Sequence, residues 1–364
     1  MAGKVSSSSF PCGSCGARLE YSPESSLLKC PYCGQESMTP DSSAAVPELD
    51  FHQYFARATE QGELLEKQTV TCSACSAVSI VESDISLSSC PFCGSLLTAR
   101  AKAGRLVRPG AILPFKINRN RAAELFRGWL SGLWFAPGGL RRNSTTSGGI
   151  KGIYLPYWTY DVRVTTWFEG ERGEDYQEAG LQAEQGGRGN GAVRGRSITR
   201  TRWHSSGGCV VSTFDDVLVP AGCSLPPEAV AMLEPWDLKS LVPYSDEYMS
   251  GFQSEAYQLD MGEGFERARA LIERGVRGSV ERHIGGQHQR INAMRSQYDD
   301  ITFKHVLLPV WISAYRYRKR TFRFIVNART GQVLGERPWS VFRIAIALIG
   351  MLLVLLLIAI LVKQ

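Results

Sequence analysis

Cysteine pairs that repeat within the first hundred residues constrain the fold of this chain more than any other sequence feature. Each of two units reads Cys-x2-Cys-x14-Cys-x2-Cys, and the second unit follows the first at an offset of sixty residues. Because each Cys-x2-Cys turn presents two thiolates close together, two turns on adjacent hairpins complete the tetrahedral coordination of one zinc ion. The pattern therefore predicts two zinc ribbons, ribbon 1 (residues 1–40) and ribbon 2 (residues 63–105). The predicted zinc ligands are Cys12, Cys15, Cys30, Cys33, Cys72, Cys75, Cys90 and Cys93.

Two other chemistries use paired cysteines, and both fit this sequence less well than zinc. Disulfide bonds are disfavoured in a reducing cytosol. The string Cys30-Pro-Tyr-Cys33 matches a glutaredoxin-type redox site, but a redox Cys-x2-Cys opens a helix after a strand, and here glycine, serine and proline surround it. Four cysteine ligands also leave no open coordination position on the metal. Both zinc ions are therefore predicted to be structural and not catalytic.

The charge of the cysteine-rich part argues against nucleic acid as the ligand of the ribbons. Residues 1–100 contain six Lys and Arg against eleven Asp and Glu, whereas the whole chain carries a net charge of +6. A surface that binds phosphates needs clustered Lys and Arg, and the cations of this part stand singly along the sequence. We therefore predict that the ribbons are protein-binding or purely structural modules, and that nucleic acid is disfavoured there.

An uninterrupted apolar segment near the C-terminus predicts a membrane anchor. Nineteen residues from Ile344 to Val362 carry no charge or strongly polar group, and a helix of about that length crosses the ~30 Å hydrocarbon core of a bilayer. The first residues lack the apolar stretch of a secretory signal, and Arg337 and Arg343 precede the anchor. Since cations favour the cytosolic side, we predict a single-pass, tail-anchored membrane protein with the bulk of the chain in the cytoplasm.

Between the ribbons and the anchor, the sequence predicts an α+β body at residues 106–336. Short strand patterns alternate there with helical patterns at Asn120–Leu130 and Gly264–Arg282, which indicates a mixed antiparallel sheet with helices on one side. Gly285-Gly286 interrupts the second helix, which is predicted to resume as another helical piece through Met294.

Two further segments complete the predicted domain organisation. Residues 41–62 are rich in serine, proline and alanine at their start and are predicted to be a linker with a short helix. The apolar residues that predict this helix recur at helical spacing from Asp50 to Glu66. Residues 337–364 are predicted to be the C-terminal membrane anchor.

The body contains no recognisable catalytic motif. Phosphate-binding loops, a strand-coupled Gly-x-Gly-x2-Gly, His-Glu-x2-His and Gly-x-Ser-x-Gly are all absent from the sequence. His283 and His288 are interpreted as polar residues at a helix break, Cys209 and Cys223 as small buried residues, and the acidic run 169–178 as a solvated loop. We therefore predict that the protein is not an enzyme, and the sequence identifies no small-molecule substrate. The alternative is an enzyme whose site in the body matches none of these motifs.

A basic stretch late in the body is a candidate site for nucleic acid or lipid. Its cations interleave with aromatic residues, as in proteins that stack single-stranded bases. On a strand, however, the aromatic side chains face one way and the cations the other, which a half-buried strand needs without any ligand. Anionic lipid headgroups are the alternative ligand because the anchor is near. The candidate residues are Arg316, Arg318, Lys319, Arg320 and Arg323.

Several motifs together carry a resemblance to a known group of proteins. They are the Cys-x2-Cys and Cys-Pro-x-Cys-Gly pairs, Leu155-Pro-Tyr-Trp-Thr-Tyr160, Phe214-Asp-Asp-Val217 and Gly331-Gln-Val-Leu-Gly-Glu-Arg-Pro338. With them the chain resembles bacterial membrane-anchored proteins that carry zinc ribbons of the transcription-factor-IIB type. Some of these bear names borrowed from the primosomal protein N′ (replication factor Y) helicase. The resemblance to the helicase covers only the cysteine pairs, and the ATPase motifs have no counterpart here, so it does not imply helicase activity.

Together these features predict a non-enzymatic, membrane-tethered zinc-ribbon adaptor. In this hypothesis the body and the anchor hold two rigid ribbons at the cytosolic face of the membrane, where they dock a protein partner. The alternative is a zinc-dependent nucleic-acid-binding protein that brings DNA or RNA to the membrane through its basic body. The alternative predicts an affinity that falls steeply with salt.

Overall fold

The computed structural model describes residues 10–40, 44–54, 56, 64–81, 89–97, 102–134, 145–180, 196–317 and 320–362. Its strands are β1 (Glu20–Ser22), β2 (Leu27–Lys29), β3 (Glu36–Ser37), β4 (Leu49–Asp50), β5 (Leu64–Thr71), β6 (Val78–Val81), β7 (Lys102–Val107), β8 (Ala111–Ile112), β9 (Thr145–Gly180), β10 (Arg196–Pro220), β11 (Val242–Pro243), β12 (Gln253–Glu255), β13 (His288–Tyr317), β14 (Arg320–Asn327) and β15 (Val333–Gly335). Its helices are α1 (Arg119–Gly132), α2 (Pro227–Ala231), α3 (Asp246–Met249), α4 (Met261–Ile284) and α5 (Val341–Val362), with a 3-10 turn at Leu238–Ser240. Together they form an α+β fold that one large mixed sheet dominates.

Two long strands, β9 and β13, form the centre of the large sheet. They pair antiparallel along most of their length, and the sheet continues in the order β11-β8-β13-β9-β12-β6-β5-β7, with β10 beside β9 and β14 beside β13. Most ladders are antiparallel, but β12 runs parallel to β9 and β13 runs parallel to β8, so the sheet is mixed. Strands β5 and β6 of ribbon 2 belong to this sheet, whereas β1, β2 and β3 of ribbon 1 form a separate one.

Two β-bulges divide the long strands into a base, where the other strands join, and an outer arm. The bulge in β10 contains Asp216 and the bulge in β13 contains Asp300, and both residues have a left-handed φ, 51° and 52°. A bulge bends its strand and increases the local twist, and these two lie on either side of the same stretch of β9. The arm consists of residues 163–180, 196–213 and 288–299.

Helix α4 covers one face of the arm. Its side chains pack against Val164 and Phe168 of β9. The carboxylate of Asp260 caps the helix by accepting the Glu263 backbone N–H at 2.8 Å, and Gly285, with a φ of 68°, ends it. The predicted second helix is therefore confirmed and is slightly longer at both ends. Its buried stripe is Ala268, Ile272, Val276, Val280 and Ile284.

One helical prediction is wrong, and a second holds only for the start of its segment, because tertiary pairing overrides the local pattern. After the glycine pair the chain does not resume a helix through Met294 but enters β13 at His288, and β13 pairs with β9. Residues 51–54 are helical, yet Leu64 begins β5, so no helix continues through Glu66. Strand partners far along the chain supply these backbone hydrogen bonds, and a local pattern cannot indicate them.

The acidic run 169–178 is part of β9, so its prediction as a loop is also wrong. Carboxylates of this run face cations on both neighbouring strands, at 2.6 Å for Arg200 and Glu178 and at 3.7 Å for Arg290 and Glu171. Opposite charges that face each other across strands stabilise a sheet. The strand was not predicted because charged residues occupy the positions at which alternating apolar residues would have indicated it.

A buried carboxylate lies where ribbon 2 joins the body. Glu255 is 3% exposed, on the short strand β12 that pairs with β6 on one side and lies next to β9 on the other. The Ser224 backbone N–H donates to its Oε1 at 3.0 Å, and the Ser224 hydroxyl donates to the same oxygen. Burial raises the pKa of Glu255 from 4.5 to about 7.

We expect this carboxylate to make stability depend on pH. Between pH 4.5 and 7, Glu255 is ionised in the unfolded chain but keeps its proton in the folded protein. Its contribution to the free energy of unfolding is therefore present below this range and is lost as the pH rises through it. The rise in pKa corresponds to about 3 kcal/mol. Glu255→Gln keeps the acceptor oxygen without the charge, so in urea unfolding it should be more stable than wild type at pH 8 by up to that amount. At pH 5 the gap between the two proteins should shrink, and an equal gap at both pH values would contradict the prediction.

Candidate metal centres

The structure brings the eight paired cysteines together into two groups of four. In ribbon 1 the Sγ atoms of Cys12 and Cys33 are 3.5 Å apart, and those of Cys15 and Cys30 are also 3.5 Å apart. In ribbon 2 the equivalent distances are 3.7 and 3.6 Å. A tetrahedral zinc ion with Zn–S bonds of about 2.3 Å places its sulfur atoms about 3.8 Å apart, whereas a disulfide needs about 2.05 Å. Each group is therefore positioned to hold one metal ion, in agreement with zinc.

Tight turns after each cysteine pair set this geometry. In the second turn of ribbon 1, the Gly34 N–H donates to the Cys30 carbonyl at 3.1 Å, and Gly94 makes the same bond to Cys90 at 2.9 Å in ribbon 2. Both glycines have a φ of 75°, a backbone conformation in which glycine carries no steric cost. Glycine follows three of the four cysteine pairs, and Ser76, with a φ of 59°, makes the same turn after Cys75.

Each group combines thiols whose pKa is raised, among them Cys33 in ribbon 1, with thiols whose pKa is lowered, among them Cys93 in ribbon 2, where hydrogen bonds with Ser95 outweigh burial. The backbone N–H groups of Cys33 and Tyr32 lower the pKa of Cys30 to about 6, because they stabilise the thiolate. Burial instead raises the pKa of Cys75 to about 11 and also raises the pKa of Cys90. A metal binds thiolates and displaces their protons, so acid competes with the metal at both groups.

The second Cys-x2-Cys turn of each ribbon, called its knuckle below, carries an aromatic side chain that is exposed in one ribbon and buried in the other. Tyr32 in Cys-Pro-Tyr-Cys is 83% exposed, whereas Phe92 in Cys-Pro-Phe-Cys is fully buried at 0%. Phe92 lies in a core cluster with Leu113, Ile153 and other side chains from the base of the large sheet. Ribbon 2 is therefore built into the body, and ribbon 1 presents its knuckle to solvent.

A third group of acidic residues, on the bulged strands, was missed by the sequence analysis as a cluster. Asp161, Asp215 and Asp216 bring carboxylate oxygens within 4.8 Å of one another. The buried ammonium of Lys304 already lies beside two of them, 2.9 Å from Asp216 and 3.7 Å from Asp161, and it is also 3.2 Å from Glu48 of the linker. The Phe214-Asp-Asp-Val217 motif was the feature of the sequence that could have indicated this group. In the structure the group is part of an ion cluster around Lys304 that joins the linker to the sheet.

The basic stretch is only partly described. Arg318 and Lys319 lie outside the described residues, while Arg316 and Arg320 lie on β13 and β14. Arg323 is an ion-pair partner within the chain, with its Nε 3.4 Å from Glu336 Oε1. The role of these five residues in binding lipid or nucleic acid stays a prediction.

The two cysteines outside the repeats are exposed. Cys209 lies on β10, opposite Trp167 of β9 on the face of the arm away from α4. Cys223 follows β10 and is also exposed. Their predicted burial is therefore wrong, since both side chains lie at the surface of the protein.

Helix α5 is long and apolar enough to cross a membrane. Its candidate span is Phe342–Val362, 21 residues, and none of the described side chains of this span is buried in the body. Most large apolar side chains between Ile346 and Val362 are half or more exposed. In water such a surface is unfavourable, whereas a bilayer would cover it.

Comparison with known proteins gives one relative and no family assignment. No protein-family model matches the chain, and no solved structure matches it. The chain is 23% identical over 340 residues to the "Uncharacterized protein YdjG" of Bacillus subtilis (strain 168), over 93% of this chain and 92% of that protein. The similarity thus extends along nearly the whole of both chains, and it adds no activity or partner.

Proposed function

We propose that the chain is a non-enzymatic, membrane-tethered adaptor, and that ribbon 1 docks a protein partner. The observation that carries this proposal is the exposure of Tyr32 at a knuckle whose counterpart, Phe92, is buried in the body. Exposed aromatic side chains on a rigid element are typical anchors of protein interfaces. The sequence analysis assigned docking to both ribbons, and the different orientation of their knuckles favours ribbon 1.

The composition and exposed side chains of ribbon 1 favour a partner with an apolar pocket and a basic rim. Met38, which lies on the same ribbon, is 85% exposed and adds apolar area. Residues 10–40 contain two Lys and Arg against three Asp and Glu. Four thiolates around one Zn2+ add a net charge of about −2. Ribbon 1 would therefore present an apolar knuckle on an acidic module, and opposite charge on the partner would guide its approach.

In the proposed architecture, both zinc ions are structural and α5 is the membrane anchor. Each quartet of cysteines fills all four coordination positions, so zinc would hold the ribbon without binding a substrate. Arg337 precedes the helix and Arg343 lies in its first turn, and cations favour the cytosolic side of a span. The ribbons and the body would then lie in the cytoplasm, at the face of the membrane.

The alternative, nucleic-acid binding by the body, is supported less well by the described cations. On the arm, Arg200, Arg172 and Arg290 each lie within 3.7 Å of a carboxylate of the same sheet. A phosphate would have to compete with these carboxylates, and binding by counterion release needs free cations.

Site-specific photo-crosslinking tests the proposal. A benzophenone amino acid in place of Tyr32, in the full chain in its own membranes, should form an adduct with one protein species. The same amino acid in place of Tyr176, an aromatic residue of the arm that is 37% exposed, should not form that adduct. Cys12→Ser should abolish the adduct at position 32, because the knuckle loses its metal while the probe stays. No adduct at position 32, or a nuclease-sensitive one, would contradict the proposal.

A further inference from the structure

An exposed tryptophan lies at the end of α1, beside the first turn of the apolar helix α5. Trp134 is 80% exposed, Trp339 in the connection just before α5 is 56% exposed, and Phe342 in the first turn of α5 is 74% exposed. Large aromatic side chains are rarely left this open in water. Tryptophan is enriched at membrane–water interfaces, where the ring lies among the lipids and its N–H remains hydrated.

A hydrogen bond fixes Trp134 next to α5. The Arg343 guanidinium, in the first turn of α5, donates through Nη1 to the Trp134 carbonyl oxygen at 2.8 Å. Arginine near the end of a span extends its charged head to the interface. Its hydrogen bond therefore places the end of α1 at the level of the lipid headgroups when α5 crosses the bilayer.

The connection between the body and α5 is short and held at its start. The Tyr315 hydroxyl donates to the Glu336 carbonyl oxygen at 2.6 Å, and the Glu336 N–H donates to the Arg323 carbonyl oxygen at 2.8 Å. A side chain on Gly335 would overlap the ring of Trp129 on α1, so α1 and this segment lie in close contact. Only residues 337–340 separate the held segment from α5, and four residues span at most ~14 Å. The body cannot move far from the membrane surface.

We propose that Trp134 and Trp339 insert into the headgroup region of the bilayer that α5 spans, and so fix the body on the membrane. The proposal rests on the proposed membrane anchor and adds a second contact between this chain and lipid, made by the body itself. The Arg337 guanidinium lies 4.2 Å from the centroid of the Trp339 ring. This cation–π contact places a positive charge beside the indole, where anionic headgroups would meet it.

Trp167 provides a matched control on the same molecule. It is 45% exposed on the arm, opposite Cys209 on one neighbouring strand and Arg295 on the other. It lies on β9, 22 residues beyond Thr145, which pairs with Arg316 at the end of the sheet from which β14 and β15 lead to α5. An indole that is exposed only to water should behave as Trp167 does.

Fluorine NMR of the full chain, labelled with 5-fluorotryptophan and reconstituted in phosphatidylcholine–phosphatidylglycerol nanodiscs, tests the proposal. The resonances are assigned by their loss in Trp134→Phe, Trp339→Phe and Trp167→Phe. Lipid carrying a nitroxide near its headgroup should broaden the Trp134 and Trp339 resonances beyond detection and leave the Trp167 resonance unchanged. A gadolinium chelate in the water should do the opposite.

Two results would overturn the inference, and they are distinguishable. If the chain enters the nanodiscs but the Trp134 resonance responds as the Trp167 resonance does, the membrane anchor stands and the interfacial contact is wrong. If the chain does not associate with lipid at all, the proposed anchor is wrong and the contact is wrong with it.

Discussion

Replacing Cys90 with serine is expected to lower the zinc content from two ions per chain to one and to unfold ribbon 2. Serine supplies no thiolate, and structural zinc stabilises isolated zinc-finger peptides by about 10–16 kcal/mol. Because β5 and β6 belong to the large sheet and Phe92 lies in its core, the loss should spread into the body. Metal analysis should give one zinc per chain, and hydrogen exchange should lose protection in β6 and in its partner β12.

Two matched variants separate this effect from a general effect of losing a cysteine. Cys30→Ser should also remove one zinc, but the exchange of β6 should stay close to wild type, because β1, β2 and β3 form their own sheet and do not pair with β6. Cys223→Ser changes an exposed cysteine outside both groups and should keep two zinc ions. Two zinc ions bound to the Cys90→Ser variant would show that its cysteine group does not hold the metal as proposed.

The parts of the fold that depend on neighbouring residues could be predicted from the sequence. The cysteine groups follow from spacing because each turn is local and the metal geometry fixes the rest. Helix α1 begins after Asn118, whose side chain accepts the Arg121 N–H, and α4 begins after Asp260 in the same way. Such caps are visible as residue types before an apolar stripe. Helix α5 could be predicted from the length and the apolar composition of its segment alone.

What could not be predicted depends on partners far along the chain. The arm looks polar in sequence, since its strands are stabilised by ion pairs such as Arg200–Glu178 and by one face packed on α4. The two knuckles differ by one aromatic residue, Tyr32 against Phe92, and nothing local indicates that only the second is buried. The acidic cluster around Lys304 could not be predicted from the sequence, because it forms only where β13 pairs with β9.

Removing α5 is expected to release the protein from the membrane while leaving both metal groups intact. In a chain that ends at Ser340, none of the span Phe342–Val362 remains. Trp134 and Trp339 remain, but interfacial contacts of this kind give reversible binding only, whereas a spanning helix gives effectively irreversible insertion. After an alkaline wash, the full chain should stay in the membrane pellet and the shortened chain should appear in the supernatant with two zinc ions bound.

A charge inside the span tests the same anchor without changing the length of the chain. An arginine at the bilayer centre costs about 2.5–3.5 kcal/mol on the insertion scale, so Leu352→Arg should shift part of the protein into the alkaline supernatant, whereas Leu352→Ala should not. The residue lies in the middle of α5 and is 62% exposed, with no packing in the body to disturb. If α5 instead packed against a soluble partner protein, the alkaline wash would extract the full chain into the supernatant. The shortened chain would no longer bind that partner. An alkaline-resistant pellet that contains the shortened chain would place the membrane contact elsewhere in the protein.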